Sequence, residues 1–183
     1  MVQQITRNIF VREVTLDDLK YNDAAHKIIN AAYRADKAGG WTTESHIVGG
    51  ERASVEDVEK YVRDNGKPNI LLYAFEHVEE RDVLVGTIQI QPENDREAEV
   101  GLFAVDPQLQ SCGIGGKLVR AAMEKMKAVG FEAAVMHVLE NRPEILKWYS
   151  KLGFEETGER IPFVWPENLK IKDLDFLVLK KKL

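Results

Sequence analysis

With 183 residues, 44% of them hydrophobic and 30% charged, the chain carries enough apolar material for one globular domain with a sizeable core, and no second full domain is expected. A net charge of −5 excludes the concentrated basic surface that a nucleic-acid partner requires, and a single cysteine excludes an internal disulfide or, without a His/Cys cluster, a structural zinc site. The first residues lack an apolar signal core and no apolar run approaches membrane-spanning length, so the expected setting is reducing and cytoplasmic, with a nuclear one left open, and away from membranes.

Residues 9–14 read as a first strand, and residues 16–35 carry Leu19, Ile28, Ile29, Ala32 and Tyr33 at the spacing of a helical apolar stripe. The pattern then stops. Residues 36–53 contain Gly39-Gly40 and Gly49-Gly50 and form a long loop, a feature that in compact domains tends to be functional. Ser54 opens a second helix with Asp57 three residues on as an incomplete capping box, and Val55, Val58, Tyr61 and Val62 form its buried face up to Asn65-Gly66. Residues 70–76 and 83–91 are a hairpin about a charged turn, and residues 97–105 follow as another strand. Strict alternation there puts Glu97, Glu99, Gly101 and Phe103 on one face and Ala98, Val100, Leu102 and Ala104 on the other.

After Val105 the chain reads Gln110-Ser111-Cys112-Gly113-Ile114-Gly115-Gly116 and enters a helix. Glycines let the backbone approach a ligand closely, and the unpaired N–H groups of a helix start favour an anion such as a pyrophosphate. Neither common glycine signature fits: a nucleoside-triphosphate loop needs Ser or Thr after Gly116-Lys117, and a dinucleotide fingerprint begun at Gly113 needs a glycine where Leu118 stands. On its own the loop reads equally as a tight turn. Beyond it, Leu118, Val119, Ala122, Met123 and Met126 line one side of a helix, with Lys117, Arg120, Glu124, Lys125 and Lys127 on the other, until Gly130. Residues 133–139 form a short buried strand, Pro143 suits the first turn of a further helix, Gly153 its left-handed stop, and residues 154–160 and 174–179 complete a mixed sheet. The expected fold class is α/β (α+β), with about six to seven strands flanked by about four helices. The basic run at Lys180 reads as a solvated strand end.

Residues 97–155 resemble the core of the acetyl-coenzyme A dependent N-acetyltransferases related to histone and aminoglycoside acetyltransferases, the GNAT superfamily. The carriers are Gln110, Gly113 and Gly115, on the fixed positions of its Gln/Arg-x-x-Gly-x-Gly/Ala run, the preceding Val105-Asp106-Pro107, and downstream Asn141, Tyr149 and Leu152-Gly153-Phe154. The resemblance implies the acyl-CoA N-acyltransferase fold over residues 1–183, with a monomer or homodimer expected. It implies acetyl-CoA as cosubstrate, its pyrophosphate on the backbone of Ser111, Cys112, Ile114, Gly116 and Lys117 together with the motif residues, and its pantetheine beside Phe103, Ala104 and Val105. It further implies that the strands of residues 97–105 and 133–139 splay apart, that an N–H near Leu102 and Phe103 polarises the acetyl carbonyl, and that Asn141 binds pantetheine or positions the helix of Tyr149. Direct transfer needs no enzyme nucleophile, so Cys112 carries no acyl group, and no metal is expected.

Two proton transfers remain. Tyr149, four residues before Gly153, resembles the family's thiolate protonator, the rival reading being a core aromatic. Glu99, eleven residues before Gln110, stands where the histone-modifying branch places its basic glutamate. His46 and His137 are rivals for that task; His137, on an apolar strand, reads as a satisfied core residue and His46 as better placed to meet an acceptor. The run Gly40-Trp41-Thr42-Thr43-Glu44 resembles a subgroup whose acceptors are unassigned. It offers Trp41 and Glu44 as acceptor contacts, Glu44 for a cationic amine, with Trp165 on an opposite wall. The leading expectation is acetyl transfer to a primary amine of a small molecule. The alternatives are a protein lysine or N-terminal acetyltransferase acting on a peptide amine, and a non-catalytic coenzyme A sensor or scaffold.

Overall fold

The computed structural model describes residues 6–35 and 42–183. Seven strands, β1 (Ile9–Glu13), β2 (Ile70–Val78), β3 (Arg81–Pro92), β4 (Glu97–Val105), β5 (Ala133–Leu139), β6 (Glu155–Pro162) and β7 (Asp175–Lys182), form one sheet in the order β1-β2-β3-β4-β5-β7-β6. Four α-helices accompany it among the described residues: α1 (Asn22–Arg34), α2 (Val55–Arg63), α3 (Ile114–Val129) and α4 (Pro143–Lys151). Neighbouring strands are antiparallel except β4 and β5, which are parallel and joined by the helical crossover α3.

Local chemistry sets the boundaries. The helical stripe from residue 16 is not continuous: residues Leu16–Tyr21 are a 3₁₀ turn and α1 begins at Asn22. The turn is pinned by Asp18, almost fully buried, whose carboxylate accepts from the Thr15 N–H at 2.7 Å and from both terminal nitrogens of Arg12 at 2.7 and 2.8 Å. Burial alone would raise this carboxyl, and the Arg12 and Thr15 donors outweigh it, holding Asp18 below its ordinary value. At α2 the capping box expected to be incomplete is closed both ways, Ser54 N–H to Asp57 at 2.9 Å and Asp57 N–H to the Ser54 hydroxyl at 3.0 Å. An aspartate at that position reaches back as well as the usual glutamate.

The sheet separates two cores. On one face α3 and α4 bury Leu118, Ala122, Met126, Ile145 and Tyr149 against Leu72, Ile88, Ile90, Ala98, Val100 and Val105. On the other, α1 and α2 bury Ile28, Ile29, Val58 and Val62 against Leu71, Tyr73, Phe75, Leu102 and Ala104. The assignments within β4 overturn the strict alternation expected for it. Ala98 and Val100 face α3, and so do Phe103 and Val105, whereas Leu102 and Ala104 face α1.

A β-bulge causes the switch. The register runs Gln89↔Gly101 and then Thr87↔Ala104, so Leu102 and Phe103 together oppose the single residue Ile88, and Leu102 takes φ +45°. The Thr87 hydroxyl donates to the displaced Leu102 carbonyl at 2.8 Å, satisfying a buried acceptor. Glu99 and Phe103 therefore lie on opposite faces. The bulge sits where β4 leaves β5: their ladder holds for Glu97↔Ala133, Ala98↔Ala134 and Glu99↔Val135, and the strands then diverge as the splayed pair.

On the α3 face, Gly86 lets the helix approach the sheet. A Cβ at this glycine would lie 2.9 Å from both the Ala104 carbonyl oxygen and Leu118 Cδ1. Gly86→Ala is expected to cost about 1–3 kcal/mol by overpacking. At this chain length that lowers the thermal midpoint by roughly 2–4 °C per kcal/mol, readable by calorimetry; an unchanged midpoint contradicts the close contact.

Candidate active site

The divergence of β4 and β5 opens a cavity of about 1320 Å³ that runs from the glycine loop through the sheet to the α1 side. It exceeds the size of most small-molecule pockets and matches a long ligand plus a second reactant. Its mouth is the start of α3. Gly113 has φ +81° in the left-handed region and caps the helix, Ser111 has φ +64°, and Gln110, Ser111, Gly113, Gly115 and Gly116 line the wall. The N–H groups of Ile114, Gly115 and Gly116 have no partner within the helix by its geometry, whereas Lys117 N–H bonds Gly113 at 3.2 Å. Space supports a ligand here: a Cβ at Gly113 would meet nothing within 4 Å, so backbone conformation and not protein packing calls for glycine. The donors and room fit a pyrophosphate, and the β4 edge beyond Glu99, without a β5 ladder, fits the amides of a pantetheine.

Three loop residues keep their side chains out of the cavity. Cys112 and Lys117 are exposed and the Ile114 side chain is buried in the α3 core, and none lines the cavity, which leaves their backbones as the expected contribution. Of the β4 residues, Phe103 and Val105 line it, and Ala104 does not because the bulge turns it into the α1 core. Asn141 is exposed in the turn before α4 and is outside the lining.

At mid-cavity the Phe103 ring stacks on Trp148 at 5.8 Å, with Tyr149 at 6.4 Å. Burial raises the Tyr149 phenol far above its ordinary value, so it stays an O–H donor throughout the physiological range. Tyr33, which the sequence places in an apolar stripe, belongs to this site. Its hydroxyl accepts the Phe103 N–H at 3.1 Å, so the amide that the resemblance gives to the acetyl carbonyl is engaged by a phenol that burial also holds protonated.

The α1-side rim rests on buried charge. Arg142, 8% exposed, donates to Glu44 at 2.8 Å and to the Thr42 hydroxyl, and Arg34 donates to the other Glu44 oxygen at 2.9 Å. Glu44, expected as the holder of a cationic amine, lines the cavity and is paired there with two guanidiniums. His46, expected as an acceptor contact, is exposed and lies outside the lining. Trp165 is 55% exposed and lines the cavity, although not on an opposite wall. Its segment is tied to that of Glu44 through the Val48↔Leu169 bridge, Gly49 N–H to the Asn168 carbonyl at 2.7 Å and Lys170 N–H to that of Ile47 at 2.7 Å, making one rim. Trp41 lies outside the described residues.

The remaining polar lining sits on the sheet. Gln89 and Gln91, hydrogen-bonded at 2.8 Å, share the face of Glu99, since Gln91 pairs with it across the β3–β4 ladder. Glu99 faces His137, with Oε1 3.1 Å from Nδ1, and Glu93 Oε1 is 3.7 Å from Nε2. His137 is thus a cavity residue and not the satisfied core histidine expected from its apolar strand. Alternation held the signal: Ala134, Met136 and Val138 face α3, leaving His137 on the polar side. For Arg142 and Tyr33 no such signal exists, because their partners are remote in sequence.

The acetyltransferase (GNAT) family model matches residues 23–154. A mycothiol acetyltransferase of Brachybacterium faecium is 29% identical over 84 residues, 44% of this chain; the chain spans 25% of the length of that curated relative. Among solved structures, an N-acetyltransferase from Staphylococcus aureus Mu50 superposes with a TM-score of 0.68 over 96% of this chain and 98% of its own at 15% identity. A spermidine N-acetyltransferase from Vibrio cholerae, in complex with CoA and spermine, has a TM-score of 0.67 over 95% of each chain at 16% identity. The structural likenesses establish the acyl-CoA N-acyltransferase fold, and the family match extends from α1 to Phe154, through the glycine loop and both signature regions. The chain therefore belongs to the GNAT family of acetyltransferases.

Proposed function

We propose that this acetyltransferase moves acetyl from acetyl-CoA to a primary amine of a small molecule, by direct attack while both reactants are bound. The observation that carries the reading is the continuity of one cavity from the helix start at Gly113 to the polar sheet face of Glu99 and His137. The thioester supplies an activated carbonyl. Gln110 and the amides at the start of α3 hold the diphosphate, and the open β4 edge takes the pantetheine. An acyl oxygen at the Phe103 N–H replaces the Tyr33 hydroxyl as its acceptor, and Tyr149, kept protonated by burial, gives a proton to the departing thiolate. Glu99 and His137 lie together on the polar sheet face, the side on which the amine gives up its proton.

The joined rim supports a small acceptor. The segments holding Val48 and Leu169 are bonded to each other, so a peptide would have to pass beside this roof and not between its parts. The neighbour bound to spermine is consistent with a small amine, while protein acetylation remains the competing prediction of an amine screen. On this reading residues 1–183 act as one domain that needs neither metal nor nucleic acid and works in the cytoplasm. No helix among the described residues is long and apolar enough to cross a membrane.

Thiol release from acetyl-CoA across pools of polyamines, amino acids, aminoglycosides and peptides is expected in a small-molecule pool; release confined to peptides favours protein acetylation, and coenzyme A binding without release favours a sensor. Gly115→Glu places a carboxylate against the diphosphate and Phe103, whose Cζ already lies 3.3 Å from a Cβ there, and coenzyme A binding should be abolished in calorimetry. Tyr149→Phe should lower kcat by about 10²-fold or more, with coenzyme A affinity changed less than about twofold. Equal loss of both assigns Tyr149 to packing alone.

A further inference from the structure

His137 lies between two carboxylates, each facing a different ring nitrogen. Glu99 Oε1 is 3.1 Å from Nδ1, and Glu93 Oε1 is 3.7 Å from Nε2. An ionised carboxylate only accepts, so Nδ1 carries the hydrogen and the lone pair of the neutral ring is on Nε2. Glu93 is too far from Nε2 for a hydrogen bond, but one nitrogen fits between them: at about 2.9 Å from both atoms it would subtend an angle of roughly 80°.

The ligand atoms of Glu93, Glu99 and His137 lie within 4.8 Å of one another, which raises the question of a metal ion. Glu99 approaches the ring through Nδ1 and Glu93 through Nε2, so the two carboxylates address different ring nitrogens. The arrangement suits a proton, which can use both nitrogens. An ammonium also finds negative charge here, whereas Glu44 is neutralised by Arg34 and Arg142.

Building on the acetyl-transfer reading, we propose that His137, and not Glu99, takes the proton of the acceptor amine, with Glu93 holding the ammonium beside Nε2 and Glu99 fixing the ring through Nδ1. The ammonium gives one proton to Nε2, and the imidazolium is balanced by Glu99. His137 releases that proton to solvent past the exposed Glu93 and takes the second as the C–N bond forms and the C–S bond breaks. The C–S electron pair leaves on sulfur, which receives a proton from Tyr149, itself reprotonated from solvent; one proton is released overall. Glu99 acts through the ring and is a positioning residue.

Charge around the ring sets the pH range. The Glu99 hydrogen bond raises the imidazole above its ordinary value against the effect of burial, aided by Glu99, Glu93 and, from β6, Glu159; β7 contributes the Phe176 ring, and Lys180 there engages Glu97. A raised value keeps the ring protonated to higher pH, so the base appears, and activity rises, only as pH climbs through that value. Replacing Glu99 removes the raising partner while burial continues to lower the value, and the rise must move to lower pH.

Full-length wild type, Glu93→Gln, Glu99→Gln and His137→Gln are compared by thiol release from acetyl-CoA against pH, with spermidine, putrescine and free amino acids as amine probes. His137 is also titrated by NMR of its ring carbons. Expected are loss of the rising limb and about 10²-fold or more of kcat in His137→Gln with unchanged coenzyme A affinity, a limb displaced to lower pH together with the NMR midpoint in Glu99→Gln, and a higher amine KM with little change in kcat in Glu93→Gln. A limb retained in His137→Gln, or erased in Glu99→Gln while the NMR midpoint persists, overturns the proposal and leaves acetyl transfer standing. Coenzyme A binding without thiol release from any amine overturns acetyl transfer and this proposal with it.

Discussion

The structure depends on one extra residue in β4. Opposing Leu102 and Phe103 to the single Ile88 turns the strand about its axis, at the cost of a left-handed φ for Leu102 and a buried carbonyl that Thr87 must satisfy. Side chains before and after the bulge consequently serve different cores, and β4 parts from β5 after three paired residues. A continuous parallel ladder would bury that edge and leave no passage through the sheet. The cavity is thus a consequence of strand register, and the glycine loop gains its meaning from opening at its mouth.

Two groups of charge occupy the acceptor side and differ in kind. Glu44, Arg34, Arg142 and Thr42 connect α1, the following loop and the start of α4, with every Glu44 oxygen engaged; removing Glu44 takes the shared carboxylate from two largely buried guanidiniums, which makes this group a brace for the rim. His137 and Glu99 line the cavity, with the exposed Glu93 beside a ring that has one engaged nitrogen and one facing a gap. The contrast is between a carboxylate paired on both oxygens within the protein and a ring whose second nitrogen has no partner in hydrogen-bond range from Glu93.

Much of this was legible in the sequence, because periodicity and punctuation are local. The strands and helices follow the spacing of Leu118, Val119, Ala122 and Met126 or the stop at Gly130, and Gln110, Gly113 and Gly115 mark the loop that lines the cavity mouth. Local rules also explain the failures. Alternation cannot announce a bulge, so by itself it puts Phe103 on the face of Glu99; an apolar stripe cannot reveal that the Tyr33 hydroxyl reaches an amide on β4. Arg142 and Glu44 find each other across 98 positions, a distance over which no pattern in the chain carries information.

Amide hydrogen exchange with and without coenzyme A tests the central claim most directly, that the ligand lies between β4 and β5 with its diphosphate at the start of α3. The account requires added protection at residues 113–116 and along the open edge of β4 from Gly101 to Phe103, with β1 and β2 unchanged. Protection confined to other segments, or absent from the β4 edge while coenzyme A is bound, would contradict it.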